Sequence, residues 1–306
     1  MIYYRVPSKS TPQKFHYYDR HGIRVSKSKN PILYDKITKI YIPPAYRQVE
    51  IFPSSKKVVA KGIDDKNRLQ YLYHANYVKD RQNDKNCKIA YRMLKVISLE
   101  KELKDILKKP KHENFEIAIA FFLITDCHFR IGNPRYTELY KSYGISTLLK
   151  SHFKGDSISF VGKKGVRNCC EIKNPDLLKA LTVLKYNQKG INLFSSNFSA
   201  QKMNLFLKNH GGITTKDLRT LKANELFLKD FRKVQNQFNE LSHNQRKRVL
   251  NEISKKIAES LHNTSAVCKK NYIMKGLFNT ALEKPEKLKD GTYSQCLRQI
   301  CKDNSL

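Results

Sequence analysis

The hydrophobic pattern changes its period near residue 80, and this change limits the fold more than any other feature. Before it, residues 36–44, 48–53 and 56–73 alternate apolar and polar side chains, as half-buried strands do. After it, apolar residues recur at helical spacing. The polar stretch 77–88 between the two parts is interpreted as a linker. The sequence therefore predicts an α+β protein, with a small β-rich domain at 1–80 and a larger, mostly helical domain at 81–306.

Local signals place the elements within these two parts. A turn is predicted at 62–67, and a helix with an apolar stripe is predicted to end before Pro110. Residues 115–129 predict a mostly buried helix, and Asn174 and Pro175 cap a later one. Residues 157–172 predict one β-hairpin, because two short alternating runs flank a tip bounded by Gly162 and Gly165. A further apolar stripe comprises Val249, Leu250, Ile253, Ile257 and Leu261.

The charge of the chain indicates its partner. Lys and Arg number 59 and Asp and Glu 27, a formal net charge of +32. So large an excess repels itself unless a polyanion neutralises it, which leaves nucleic acid and anionic membrane as candidates. The longest apolar run, 115–124, is too short to span a bilayer and contains Glu116, and residues 1–10 do not form a secretory signal. A basic ribosomal-type protein is the plain alternative.

The cysteines predict neither a metal site nor a disulfide framework. There are seven, and no two have the spacing of a zinc-binding pair. A chain of 306 residues is long enough to be stable without disulfides. We therefore expect unpaired cysteines, a reducing intracellular compartment and no metal.

Two basic stretches precede the C-terminal helices. Arg130 follows the predicted buried helix and stands before a Gly-Asn-Pro turn, where a surface residue or a helix cap is the simpler interpretation. Lys163 and Lys164 form the hairpin tip and fit an ordinary solvated loop. The same tip also allows a mobile positive charge to reach into a groove.

The stretch 211–226 places two cations at the start of a helix. Gly211 and Gly212 end one helix, and Thr215 is predicted to cap the next. Lys216 and Arg219 then lie on one face of its first turns. Cations near a helix N-terminus interact unfavourably with the helix dipole. An anion bound at the helix start would offset this electrostatic energy.

The stretch 262–274 contains a histidine and a tyrosine. His262 falls at a helix end, Asn263 and Thr264 begin a new helix, and Tyr272 lies further along it. Packing is the simpler interpretation of Tyr272. The alternative places His262 and Tyr272 on opposite sides of one phosphate.

Together these residues favour metal-free chemistry at a phosphodiester. Arginines bind the two nonbridging oxygens, a lysine can protonate a leaving alkoxide, and a phenol is acidic enough to attack without a metal. The chain has neither the carboxylate cluster of a two-metal nuclease nor the glycine loop of an ATPase.

The motifs "FRIGN", "FVGKKG", "KDLRT" and "HNTSAVCKKNYI" occur in the order seen in type IB DNA topoisomerases. The chain resembles the small poxvirus-type enzymes and their relatives in large DNA viruses over nearly its whole length. The resemblance implies relaxation of supercoiled DNA through a 3′-phosphotyrosyl intermediate, strand rotation and religation, without ATP, metal or other cofactor. It also implies a monomer that forms a clamp around duplex DNA.

The resemblance also implies roles for individual residues. Tyr272 is the expected nucleophile, and three donors stabilise the phosphorane, namely Arg130, Arg219 and His262. Lys163 is the expected general acid, and Lys216 assists the proton transfer. The expected DNA-binding residues are Gln70, Tyr71, Tyr73, Arg81, Asn133, Arg135, Tyr136 and Lys164.

Some positions depart from the poxvirus pattern. Asn133 replaces a lysine that lies near the bases, and Ser265 stands where the giant-virus and bacterial branch has proline. A tyrosine recombinase shares the fold and chemistry, but its histidine patterns around the arginine are absent from "KDLRTLK". A catalytically inert basic DNA-binding protein is the non-enzyme alternative. A viral member would act in the host cytoplasm or virion, or in the nucleus.

Overall fold

The computed structural model describes residues 1–8, 10–11, 14–238 and 240–303, with the backbone alone at 82–85. The chain divides into two compact units, Met1–Lys85 and Asn86–Leu306. The first is rich in strands and the second is mostly helical, so the predicted α+β class is confirmed. In the part of the chain that is described, no helix is long and apolar enough to cross a membrane.

The first unit is built on an antiparallel sheet with strand order β3-β2-β1-β4-β5-β6. Its elements are β1 (Tyr3–Pro7), β2 (Phe15–Asp19), β3 (Arg24–Val25), α1 (Pro31–Thr38), β4 (Arg47–Ile51), β5 (Val58–Ile63) and β6 (Leu69–Tyr73). Ile37 of α1 packs with Val49, Ile51 and Ala60 in a small core. The strands predicted within 48–53 and 56–73 are confirmed, and the turn between β5 and β6 lies within the predicted 62–67.

The strand predicted at 36–44 is wrong, because helix α1 occupies its beginning. Asn30 caps this helix by accepting a hydrogen bond from the Leu33 amide (3.1 Å), and Pro31 takes its first position. The chain after the helix, up to residue 44, forms no strand. Buried Arg5 holds it by donating to the carbonyl oxygens of Ile42, Pro43 and Tyr46.

The linker predicted at 77–88 is also wrong in its conformation. Helix α2 (Ala75–Ile106) runs through the whole stretch, and the boundary between the two units falls inside this helix. Its residues include neither glycine nor proline, and its lysines, arginines and glutamates favour helix even though they are polar. Polarity alone therefore did not indicate a flexible segment.

The second unit contains the remaining helices and the hairpin. Its elements after α2 are α3 (Phe115–Thr125), α4 (Pro134–Tyr140), β7 (Phe153–Lys154), β8 (Ser157–Val161), β9 (Arg167–Glu171), α5 (Pro175–Asn187), α6 (Ala200–Gly211), α7 (Thr215–Phe238), α8 (His243–Ser260), α9 (Ser265–Asn271), α10 (Lys275–Glu283) and α11 (Tyr293–Asp303). The predicted hairpin is β8–β9, and the predicted caps of α5 and α9 are confirmed, at Asn174 and Thr264.

Helix α3 forms the centre of the second core. All its residues except Glu116 are buried, and it contacts α5 and α7. Glu116 is satisfied by the backbone amide and hydroxyl of Ser195 (2.7 and 2.6 Å). The helix ends at Thr125, earlier than the predicted 129, so Arg130 lies in a segment without regular secondary structure rather than at the helix end.

The expectation of unpaired cysteines is contradicted. Among the described residues, Cys87 is joined to Cys301, and Cys127 is joined to Cys170. Their sequence separations are 214 and 43 residues, so spacing along the chain gave no sign of either pair. The first bond links α2 to α11, and the second links the segment after α3 to strand β9.

Two glycines fix the segment that carries Arg130. An added Cβ at Gly144 would lie 2.5 Å from the Gly132 Cα and 2.8 Å from the Arg130 carbonyl oxygen. The amide of Ile145 donates to that same oxygen (2.9 Å). The backbone at Arg130 therefore packs directly on Gly144, with no room for a side chain between them.

We expect Gly144→Ala to lower the free energy of unfolding by about 2 kcal/mol, because the added methyl group collides with rigid backbone. A urea titration measures the change. Gly190→Ala is the matched control, since nothing lies within 4 Å of its added Cβ, and should change stability by less than about 0.5 kcal/mol. Equal stability of the two variants would contradict the packing argument.

Candidate active site

The predicted catalytic residues meet at one cavity of about 540 Å³ in the second unit. They come from four stretches of the sequence that only the fold brings together. The cavity lining includes Arg130, Lys163, Lys164, Lys216, Arg219, His262 and Tyr272.

Tyr272 lies at the end of α9, where its amide donates to the Cys268 carbonyl oxygen (2.8 Å). Its side chain is 7% exposed. The phenol oxygen accepts a hydrogen bond from Nη1 of Arg219 (3.0 Å), and the guanidinium carbon lies 5.0 Å from the ring centroid. The hydrogen bond from Arg219 fixes the position of the phenol oxygen in the cavity, as a nucleophilic tyrosine would require.

Arg219 is the buried charge of the site. It is 3% exposed, and its Nη2 donates to the Leu261 carbonyl oxygen (2.8 Å). Burial, together with repulsion from Arg130, lowers the pKa of its guanidinium to about 10, so it remains charged at neutral pH. Its Nε is buried with no hydrogen-bond partner in the described part of the chain. A bound anion would stabilise a charge held in this way.

The start of α7 places Lys216 and Arg219 on the cavity. The cap is Thr214 rather than the predicted Thr215: the Thr214 hydroxyl accepts from the Asp217 amide (3.3 Å), while the Asp217 carboxylate accepts from the Thr214 amide (3.1 Å). This reciprocal arrangement is a capping box with Asp as its acid. Lys216 is exposed, whereas Arg219, one turn later, points into the buried side.

Arg130 is held by a side chain that sequence reasoning did not single out. Its Nη2 donates to Oδ1 of Asn263 (2.5 Å), and Nδ2 of Asn263 donates to the Leu261 carbonyl oxygen (3.2 Å). Arg219 donates to that same carbonyl oxygen. Asn263 and Leu261 therefore connect the two guanidinium groups, which sets their separation.

His262 occupies a turn that normally favours glycine. Its φ is +52°, and the Asn263 amide donates to the Ala258 carbonyl oxygen (2.8 Å), which closes the end of α8. The ring lies 5.7 Å from that of Phe129. Burial and the charges of Arg219 and Arg130 lower its pKa, while a backbone hydrogen bond to Cys127 raises it.

Lys163 and Lys164 stand on the tip of the β8–β9 hairpin and are exposed. Lys164 has a φ of +65°, which turns the chain sharply between the two lysines. Both nevertheless line the cavity together with Val166. The tip therefore brings mobile ammonium groups to the same space as Tyr272.

The lining of the cavity is cationic. Among the described residues that form it, none carries a carboxylate. The described part of the chain also contains no cluster of three or more His, Cys, Asp or Glu side chains with the arrangement of a metal site. The cavity thus has the composition of an anion site, and Arg, Lys and His side chains line it together with Tyr272.

The predicted DNA-binding residues of the second unit lie next to the cavity segment. Asn133 caps α4 by accepting from the Arg135 amide (3.0 Å), so its side chain is used in the cap. Arg135 is exposed, and Tyr136 is 52% exposed and stacked on Tyr140 (6.0 Å). Helix α4 therefore presents cationic and aromatic side chains to solvent, as nucleic-acid surfaces do.

The predicted DNA-binding residues of the first unit are Gln70, Tyr71, Tyr73 and Arg81, and all but Gln70 are exposed. Tyr71 and Tyr73 are 47% and 40% exposed, so they do not pack in the core of their unit. Tyr73 stacks on Tyr77 (5.6 Å), and the Arg81 guanidinium lies 5.7 Å from the Tyr77 ring. Gln70 donates to Asp64 (3.0 Å). Tyr77 was not predicted, although it extends the aromatic row.

Asn224 is a second residue that sequence reasoning missed. It is fully buried, donates to the carbonyl oxygens of Thr220 (2.6 Å) and Tyr272 (2.8 Å), and accepts from the Met274 amide (2.9 Å). It therefore holds the backbone of Tyr272 against α7. An asparagine on the apolar stripe of a helix was the available signal, because such a residue needs buried partners.

Comparison with known proteins identifies the family of the chain. Residues 75–296 match the family model described as eukaryotic DNA topoisomerase I, catalytic core. The chain belongs to the type IB DNA topoisomerase family. It is 28% identical over 274 residues to DNA topoisomerase 1B of Acanthamoeba polyphaga mimivirus, and 24% identical over 261 residues to DNA topoisomerase 1 of Rabbit fibroma virus (strain Kasza). Each match covers 82% of this chain and 81% of the relative.

We expect Asn263→Ala to slow plasmid relaxation about tenfold, because Arg130 loses a hydrogen bond to a charged group worth about 1.5 kcal/mol. Initial relaxation rates at limiting enzyme measure the change. Asn271→Ala is the matched control, since Asn271 also lines the cavity but donates to the Val267 carbonyl oxygen of its own helix. A loss of similar size in both variants would contradict a specific role for Asn263.

Proposed function

We propose that this topoisomerase relaxes supercoiled duplex DNA by transient cleavage of one strand, without ATP or metal. Tyr272 attacks the scissile phosphate, and the strand end that carries the 5′ hydroxyl rotates. The 5′ hydroxyl then attacks the phosphotyrosine and reseals the cut strand. The observation that carries the proposal is the hydrogen bond from Arg219 to the phenol oxygen of Tyr272 inside a cationic cavity.

The first step exchanges one phosphate ester for another. The phenol oxygen forms a bond to phosphorus, its proton passes to solvent, and the bond from phosphorus to the 5′ oxygen breaks. The product is a 3′-phosphotyrosine and a 5′ hydroxyl. Because one ester replaces another, the reaction needs no external energy source, and the reverse attack restores the strand.

Arg130 and Arg219 are proposed to bind the nonbridging oxygens, where charge increases in the phosphorane. Their guanidinium groups are held by Asn263 and by the Leu261 carbonyl oxygen before substrate arrives, so little reorganisation is needed. His262 is the proposed third donor. Its lowered pKa favours the neutral ring, and a nearby phosphate would favour the protonated ring that can donate there.

Lys163 is proposed as the general acid, with Lys216 assisting. A 5′ alkoxide is a poor leaving group, so its oxygen needs a proton as the bond breaks. Lys163 carries its ammonium on an exposed hairpin tip that borders the cavity, and Lys216, at the start of α7, lines the same cavity. In religation the same lysine accepts the proton back.

Duplex binding is proposed to rest on surfaces of both units. The tyrosine row of the first unit and the α4 surface of the second combine aromatic faces with cations, which suits sugar and base contacts beside phosphates. The net charge of +32 supplies many further phosphate contacts. That the monomer closes as a clamp stays a prediction.

The place of action is proposed from the relatives. Both are viral proteins, which supports a role in an infected cell. Action in the host cytoplasm, the virion or the nucleus stays a prediction.

We expect Tyr272→Phe to abolish relaxation in EDTA without ATP while leaving duplex affinity within about threefold, because affinity comes from many phosphate contacts. Agarose gels and filter binding measure the two quantities. Tyr293→Phe is the matched control, since an arginine, Arg232, also lies over that ring (5.4 Å). This variant should relax plasmid at the normal rate.

The same experiment separates the alternatives. A protein–DNA adduct recovered from Tyr272→Phe would assign the nucleophile elsewhere. Strand exchange between duplexes would indicate a recombinase, and binding without relaxation by the unaltered chain would indicate an inert DNA-binding protein.

We expect Lys163→Ala to be slowed at least about a hundredfold on a normal phosphodiester, within the range for loss of a general acid. A substrate with sulfur in place of the bridging 5′ oxygen should restore most of the rate, because a thiolate leaves without a proton. Single-turnover cleavage measures both. Arg130→Ala, which removes charge stabilisation instead, should be restored much less.

Equal slowing of Lys163→Ala on both substrates would make this lysine a binding residue. Lys216 would then be the next candidate for the acid.

A further inference from the structure

A buried asparagine lies at the base of the hairpin tip that carries Lys163. Asn168 is 2% exposed on β9, whereas its neighbours Arg167 and Cys169 are exposed. It pairs in register with Phe160, at a position that the alternation of the hairpin assigns to the core. A polar side chain there needs a buried partner.

That partner belongs to the tip itself. Nδ2 of Asn168 donates to the Val166 carbonyl oxygen (2.8 Å), which also accepts from the Gly162 amide (2.7 Å). The Gly165 amide in turn donates to the Gly162 carbonyl oxygen (3.1 Å). The Asn168 amide therefore joins the small network that closes the turn around Lys163.

The Asn168 side chain also packs directly against Gly162, the glycine before Lys163. A Cβ added at Gly162 would lie 2.3 Å from Nδ2 of Asn168 and 3.2 Å from its Cγ. Since the φ of Gly162 is −97°, the backbone conformation does not require glycine there. The space that a side chain would need is filled by the amide of Asn168.

We propose that Asn168 is a positioning residue for the general acid: it fixes the hairpin tip in the conformation that presents Lys163 to the leaving 5′ oxygen. The proposal rests on the proposed function of Lys163. Asn168 itself lies behind the tip and acts through the turn, so it is expected to affect proton delivery and to leave phosphate binding unchanged.

The test uses the full chain and two DNA substrates, a normal phosphodiester and one with a bridging 5′ sulfur. Asn168→Leu fills a similar space but removes the donor. We expect single-turnover cleavage to slow about thirtyfold on the normal substrate, as for partial loss of a general acid, and to return to within about threefold of normal on the sulfur substrate. Duplex affinity should not change.

The cleavage rate of a double variant distinguishes a positioning role of Asn168 from a general structural role. Asn168→Leu combined with Lys163→Ala should cleave no more slowly than Lys163→Ala alone, because both act on one proton transfer. Cys169→Ala is the matched control on the same strand, since its side chain is exposed and unpaired. It should cleave both substrates at the normal rate.

Gly162→Ala provides a second variant if Asn168→Leu does not fold. Its added methyl group displaces the Asn168 amide from the other side, so it should show the same rescue by sulfur. Equal slowing on both substrates, in whichever variants fold, would overturn the inference. If Lys163→Ala itself is not rescued, the proposed acid fails and the inference fails with it; if Lys163→Ala is rescued and Asn168→Leu is not, only the inference fails.

Discussion

The buried guanidinium of Arg219 is the interaction on which the site depends. It donates to the phenol oxygen of Tyr272 and to the carbonyl oxygen of Leu261 at the end of α8, so it joins α7, α8 and α9. Its charge is retained in a poorly solvated position, where an unneutralised cation is costly. The proposed DNA phosphate is the anion that would neutralise this cation.

Local chemistry accounts for what the sequence could predict. The glycine-bounded tip at 162–165, the apolar stripe ending at Leu261 and the cap at Thr264 are all set by residues within a few positions of each other. The grouping of Arg130, Lys163, Arg219 and Tyr272 was predicted through resemblance to a family, and the cavity contains them all. Their roles remain predictions that kinetics must test.

What the sequence did not predict has two causes: local helix signals that alternation or polarity masked, and contacts between residues distant in the chain. Alternation at 36–44 suggested a strand. The cap at Asn30 starts a helix there instead, and hydrogen bonds from Arg5 hold the irregular segment that follows it. Polarity suggested a linker where helix formers without glycine or proline continue α2. Asn263 meets Arg130 across 133 residues of sequence, so no local pattern could reveal that pair.

The disulfide between Cys87 and Cys301 makes most of the second unit a covalent ring. The segment it closes, with a sequence separation of 214, includes every catalytic candidate from Arg130 to Tyr272. A single backbone cut anywhere inside the ring leaves both pieces attached to each other. Closing so long a loop also lowers the conformational entropy of the unfolded chain, which stabilises the folded state by about 5 kcal/mol. A nicked molecule would thus keep Tyr272, Arg130 and Arg219 in one covalent particle until a reductant opened the ring.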